Sequence, residues 1–141
     1  MNEPATSVVC AVTVTVAVPG EPTVVMPAEL CYDVADPYAA RLSLGAPEME
    51  PVDWVFARSL LAEGMHRPAG VGRVLVSPPH RCHRHSVRVV VRSTSSAARI
   101  EVPSVEAGEF LRRSYALVPD GAESLYIDVD RELAALMDGC D

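Results

Sequence analysis

Between residues 8 and 18 the chain alternates, with Val8, Cys10, Val12, Val14, Val16 and Val18 on even positions and Ser7, Thr13 and Thr15 on odd ones. A period of two is that of a β-strand with one buried face. Pro19-Gly20-Glu21-Pro22 reads as a turn, and residues 23–32 form a second apolar stretch that Pro27 should interrupt or confine to a sheet edge. After a turn at Asp36-Pro37, the alternation of Tyr38, Ala40, Leu42 and Leu44 with Ala39, Arg41 and Ser43 predicts a third strand, antiparallel to its neighbours.

Next comes a helix. Asp53 is a suitable cap for one beginning near Trp54, with Ala57, Leu60 and Leu61 on one face, Gly64 just past its end and Pro68 beyond. Trp54-Val55-Phe56 fits the end of a strand equally well, which places the boundary near Phe56. The second half repeats the plan, with strands over residues 71–77, 87–92 and 98–102 and a helix over 105–117. Ser104 is its expected N-cap, and Glu106 and Glu109 lie near the positive end of its dipole. Arg112 and Arg113 lie near the negative end, and Ala107, Phe110, Leu111 and Ser114 share a face. Gly108 weakens this helix by about 1 kcal/mol relative to Ala, and Pro119 ends it. A last helix over 131–137, capped by Asp130, offers Leu133, Leu136 and Met137 to the core.

Strands, helix, strands, helix is a duplicated pattern, and FARSLL from Phe56 echoes FLRRSYAL from Phe110. The expected fold class is α+β, with antiparallel sheets, two to three helices and one sheet face left for helices or a neighbouring subunit. With 141 residues the chain suits one domain spanning its whole length, burying roughly two thirds of its unfolded surface.

Charge narrows the function classes. The chain carries net −7, so a bare polyphosphate meets repulsion rather than steering. All its basic residues are Arg, a bias that suggests a GC-rich genome. No stretch approaches the roughly 20 apolar residues that span a bilayer, and MNEPATS lacks a positive n-region, so a cytoplasmic protein without membrane insertion is expected. Cys10, Cys31, Cys82 and Cys140 have no regular spacing and read as reduced thiols.

Candidate chemistry is sparse. His80-Arg81-Cys82-His83-Arg84-His85 gathers zinc-ligating types, yet no second Cys/His pair stands elsewhere, so a loop is favoured over a metal site. A metal-dependent enzyme built on Cys82 is the weakest of the functional readings. Asp33 with Asp36, and Asp128 with Asp130, are carboxylate pairs better explained by turns and caps. Gly70-Val71-Gly72 precedes a strand, where a phosphate loop does not belong, and reads as a hairpin bend. No nucleophile elbow or other local signature of nucleophilic catalysis is present, which leaves a triad assembled only in space open, and no cofactor is expected. One feature survives: the net −7 resolves into +4 from Arg81, Arg84, Arg88 and Arg92 and −11 elsewhere. These four arginines are candidates for docking an acidic partner segment. A solvated edge strand guarded by charge is the other reading, and both stay open.

YDVADPYA (residues 32–39) and WVFARSLLAEGMHRPAGVGRVLVSP (54–78) resemble the SsgA-like proteins that control sporulation septa in filamentous actinobacteria. FLRRSYALVPDGAE (110–123) and DVDREL (128–133) fit the same family in order. Ser77 stands where many members carry Trp, and HRCHRH is unusually basic, so the paralogue stays open. The resemblance implies a fold similar to the Whirly and mitochondrial guide-RNA-binding proteins, assembled as a homotrimer. It also implies a non-catalytic role in recruiting or organising the tubulin-like division GTPase FtsZ, or septal cell-wall proteins, at division septa. Trp54, Phe56, Leu60, Leu61, Phe110 and Leu111 read as core. The alternative is single-stranded nucleic-acid binding by analogy of fold. An acidic chain with 5% aromatic residues, none beside its Arg cluster, argues against it.

Overall fold

The computed structural model describes residues 6–45, 52–81 and 83–127. The alternation at the start of the chain becomes β1 (Ser7–Ala17), with Val8, Val12, Val14 and Val16 buried and Val9, Ala11 and Thr13 exposed. It pairs along its length with β2 (Val24–Asp33), and β3 (Ala39–Leu44) and β4 (Val52–Ala57) complete a meander. After α1 (Arg58–Gly64) a second meander follows: β5 (Ala69–Val71), β6 (Val74–Ser77), β7 (Ser86–Arg92) and β8 (Ala97–Pro103). Then come α2 (Ser104–Leu117) and a 3-10 turn, Glu123–Tyr126. All strands join one antiparallel sheet ordered β4-β3-β2-β1-β8-β7-β6-β5. The meanders meet where Thr15, Val16 and Ala17 of β1 pair with Glu101, Ile100 and Arg99 of β8.

Both helices lie on the same face. In α2 the four buried residues are Ala107, Phe110, Leu111 and Ser114, the face expected from their spacing, and they lie over β1 with β2, β7 and β8. Leu60 and Leu61 of α1 close the core against β5 and β6. Gly64 is needed for close approach rather than as a left-handed cap. It is the last helical residue, its neighbour Met65 stays right-handed, and a Cβ at Gly64 would fall inside the van der Waals envelope of Val76.

Several expectations are corrected. Pro27 lies in an interior strand, because its carbonyl accepts from Gly45 N at 3.3 Å, which turns its nitrogen towards the point where the β3 ladder has ended. Strand β4 runs to Ala57, so Asp53 caps nothing and instead accepts a hydrogen bond from Ser43 across the β3–β4 pair, and Ala57 is exposed. Residues 71–77 do not form one strand. Gly72, with φ +59, turns the chain between β5 and β6, which is the hairpin bend expected of that glycine pair. Ser104 is the first residue of α2 and makes no capping bond, and no basic residue lies in its last turn. The echo between the halves is out of register, since Phe56 precedes its helix while Phe110 lies inside one. Strand β7, with Arg88 and Arg92, has β8 and β6 on its two sides, so it is not an edge. The expected helix over 131–137 lies outside the described residues.

Candidate functional site

The buried charge of the molecule gathers around Arg58. Phe56 points into the core from β4, and position 58 continues the same parity, so an arginine enters the interior with only 1% of its surface exposed. Its backbone N–H extends the β3–β4 ladder by donating to Tyr38 O at 2.8 Å. Its side chain reaches the far end of α2. There Nη1 donates to Ser114 O (3.0 Å) and Val118 O (2.8 Å), and Nη2 donates to Glu123 Oε2 (2.9 Å). The guanidinium adds a second donor to Ser114 O, which already accepts from Val118 N at 2.9 Å, and supplies one to Val118 O, at the negative end of the helix dipole.

Two aromatic rings flank it, Tyr115 at 4.0 Å and Tyr32 at 4.6 Å from its central carbon. Burial raises the pKa of both phenols, which keeps them neutral, and Tyr32 Oη donates to Pro37 O at 2.9 Å. The Glu123 carboxyl is held below the usual carboxylate range by its own backbone N–H, then by Arg58. Gly121 N adds a bond of 2.8 Å to Oε1. One guanidinium thus ties the ends of β2, β4 and α2 to the segment that follows α2. Tyr32, Pro37, Arg58, Ser114, Tyr115, Val118 and Glu123 all lie in the stretches that carry the resemblance. The site faces inward and holds the scaffold rather than a ligand. Reading the sequence for surface charge missed it; the available signal was an arginine two positions after Phe56 at a strand end.

The four arginines expected to act together are separated by the fold. Arg81 and Arg84 lie on the loop before β7, while Arg92 ends that strand, six steps or about 20 Å from Ser86. Between them Arg88 pairs with Glu101 of β8 at 2.9 Å. Arg92 instead meets residues distant in sequence. Its N–H donates to Arg73 O at 2.9 Å on the β5–β6 turn, and Arg99 of β8 lies opposite Val90, one outward position from Arg92.

The histidine loop closes as a tight turn in which His80 N and His83 N donate to each other's carbonyls, at 3.2 and 2.9 Å. Its ring centroids at His80 and His83 are 6.3 Å apart, and His83 Nδ1 lies 2.8 Å from Ser86 O. Among the described residues no group of three His, Cys, Asp or Glu side chains is placed to hold a metal ion. Asp33 has the turn role expected of it, accepting from Ala35 N at 2.8 Å. Cys10 and Cys31 sit on opposite faces of the β1–β2 pair, which keeps these two thiols apart. Cys82, Asp128 and Asp130 lie outside the described residues.

With both helices on one face, no helix among the described residues covers the other face of the sheet. Its β1–β4 half exposes Val9 (51%), Val25 (66%) and Val55 (61%). No helix among the described residues is long and apolar enough to cross a membrane.

A family model described as "Streptomyces sporulation and cell division protein, SsgA" matches residues 26–123. Sporulation-specific cell division protein SsgB of Streptomyces coelicolor is 39% identical over 132 residues, covering 94% of this chain and 96% of the relative. The SsgB protein of Thermobifida fusca is 40% identical over 134 residues, covering 95% and 97%. The crystal structure of an SsgA-like sporulation-specific cell division protein from Thermobifida fusca superposes with a TM-score of 0.82 at 39% identity, over 96% of this chain and 98% of that one. A second structure, reported with mutations in SsgB that correlate to longitudinal cell division during sporulation of Streptomyces coelicolor, gives 0.77 at 41% identity, over 86% and 96%.

Proposed function

Because the chain belongs to the SsgA family of sporulation and cell-division proteins, we propose that it is a non-catalytic regulator of sporulation-specific cell division that acts by binding proteins. In this reading it recruits or organises FtsZ and the septal cell-wall machinery, and is itself drawn from the cytoplasm to division septa. The observation that carries the reading is the likeness to SsgB over 94% of the chain, together with the superposition of 96% of it on an SsgA-like cell division protein.

The architecture suits recruitment. The buried charged site is enclosed by its own protein partners, whereas the sheet offers a broad face with exposed valines and arginines. Apolar side chains on an uncovered face favour association. We assign a trimer of sheets, in the manner of Whirly and guide-RNA-binding proteins, to the valine-bearing β1–β4 half of that face, and keep Arg81, Arg84, Arg88 and Arg92, on β7 and the loop before it, as candidate contacts for acidic partners.

Co-sedimentation of the purified protein with FtsZ polymers, with and without GTP and across a salt series, tests the proposal. Expected is GTP-dependent pelleting that weakens with salt and falls in Arg88→Glu/Arg92→Glu. Absence of pelleting at every salt concentration overturns direct recruitment of FtsZ and redirects the search to a membrane-bound or wall-synthesis protein.

A further inference from the structure

On the outer face of the second meander, three arginines gather that make no ion pair among the described residues. Continuing the Val74↔Val91 register places Arg73 opposite Arg92, and their backbones are joined by the 2.9 Å bond from Arg92 N to Arg73 O. Arg99 projects from β8 opposite Val90. All three side chains are exposed, and the ion pairs among the described residues engage Arg58, Arg67, Arg88 and Arg112 instead. Two cations facing each other across strands destabilise a sheet, whereas opposite charges stabilise it. The next outward row shows the stabilising arrangement, with Arg88 facing Glu101. The Arg73–Arg92 pair is therefore mildly unfavourable for the isolated fold, and an anion set against it would relieve the repulsion. Edge protection does not explain Arg92, because β7 is interior.

Beside these arginines runs an open groove of about 400 Å³ between the β7–β8 hairpin and the β1–β2 turn. Val90, Ala97, Ala98 and Val18 line it with Arg99, and Glu21 on the opposite wall is the one acid among its lining residues. No aromatic residue lines it, so it lacks the stacking platform that single-stranded nucleic acid uses. Arg99 alone of the three lines the groove, Arg92 lies opposite its Ala97, and Arg73 stands beyond Arg92, so an apolar channel with guanidinium groups at its rim matches a peptide that carries carboxylates next to an aliphatic side chain.

We propose that this groove docks an acidic, partly aliphatic peptide segment of a partner protein, its carboxylates on Arg73, Arg92 and Arg99 and its aliphatic side chain against Val90 and Ala97. The proposal rests on the protein-binding role above and gives it a partner chemistry and a place. It differs from the arginine group read from sequence in taking Arg73 and Arg99 and leaving Arg81 and Arg84 outside.

The test is a fluorescence-anisotropy titration of the full chain with a short fluorescein-labelled peptide of alternating Glu and Leu, with its Gln–Leu counterpart as control. Expected is binding of the Glu peptide alone, weakening as salt rises. Arg73→Ala, Arg92→Ala and Arg99→Ala should each weaken it about five- to tenfold, while Arg81→Ala/Arg84→Ala changes it less than about twofold. Because Arg73→Ala removes a like-charge pair, its thermal midpoint should match or exceed that of the parent, which separates lost binding from lost folding. Failure of the parent to bind the Glu peptide at low salt overturns the proposal, as does binding indifferent to the three substitutions. It is also overturned if Arg92→Ala dissociates an oligomer that the peptide cannot compete, which would assign the groove to a second copy, or if single-stranded DNA occupies the patch more tightly than the peptide. Co-sedimentation that persists in Arg73→Ala/Arg92→Ala would remove the groove while leaving recruitment intact. Peptide binding without any co-sedimentation would do the reverse.

Discussion

Arg58 concentrates more consequence in one side chain than any other described residue. A guanidinium taken out of water is tolerable only with its partners in place, and here it holds two carbonyls, one carboxylate and two aromatic faces. Arg58→Ala should lower stability by about 3–5 kcal/mol in urea titration, because the Glu123 carboxylate is left buried without its cation and Val118 O at the end of α2 loses its donor. Arg58→Lys should recover only part of this, since an ammonium cannot reproduce the planar fork or stack between Tyr32 and Tyr115. Glu123 sets a pH dependence whose sign follows from its lowered pKa. The stabilisation is present above the unfolded carboxyl value of about 4.3 and fades as pH falls through the lower folded value. The stability difference between the parent and Glu123→Gln should therefore be flat from neutral pH to about 5 and shrink below about 4. At this scale the sequence was only partly legible. Leu60, Leu61, Phe110 and Leu111 declared themselves as core through spacing, whereas Arg58 did not, because its partners lie 56 to 65 residues away.

Among the elements, those with a clean period were readable and those with competing signals were not. The alternation from Val8 to Val16 specified β1, and the 3–4 spacing from Ala107 to Ser114 specified the buried face of α2. The β4–α1 junction was ambiguous because Trp54-Val55-Phe56 suits either state, and strand pairing with β3 decided it. Two glycines show how context reverses a propensity. In α2, a Cβ at Gly108 would meet only Met65 Cε at 3.9 Å, so Gly108→Ala should stabilise by up to about 1 kcal/mol. In α1, Gly64→Ala should destabilise by about 1–3 kcal/mol despite the better helix former, because Val76 occupies the space. Thermal unfolding of the two variants beside the parent checks both signs. The basic groove belongs to the illegible class for a related reason: Arg73, Arg92 and Arg99 are neighbours by strand register alone.

For the whole molecule, the antiparallel organisation followed from the strand pattern and helices on one face were one of the two coverings expected, while the joining of both halves into one eight-stranded sheet, with the first strand beside the last, was not legible. A net charge of −7 spread around a compact basic patch makes general nucleic-acid affinity unfavourable, and the chain should fail to shift single-stranded DNA in gel assays even at low salt. The seam between the meanders pairs Thr15 with Glu101, and Arg58 waits for Glu123, so neither half can be completed from its own residues. On the ribosome this imposes a late closure. The first meander emerges with its arginine still hydrated and its β1 edge open; the sheet becomes continuous only when β8 has been synthesised, and the arginine is enclosed only after α2 and the turn that follows it. Such topology makes folding slow compared with a helical bundle of equal length and leaves the nascent first half dependent on rapid translation of the second.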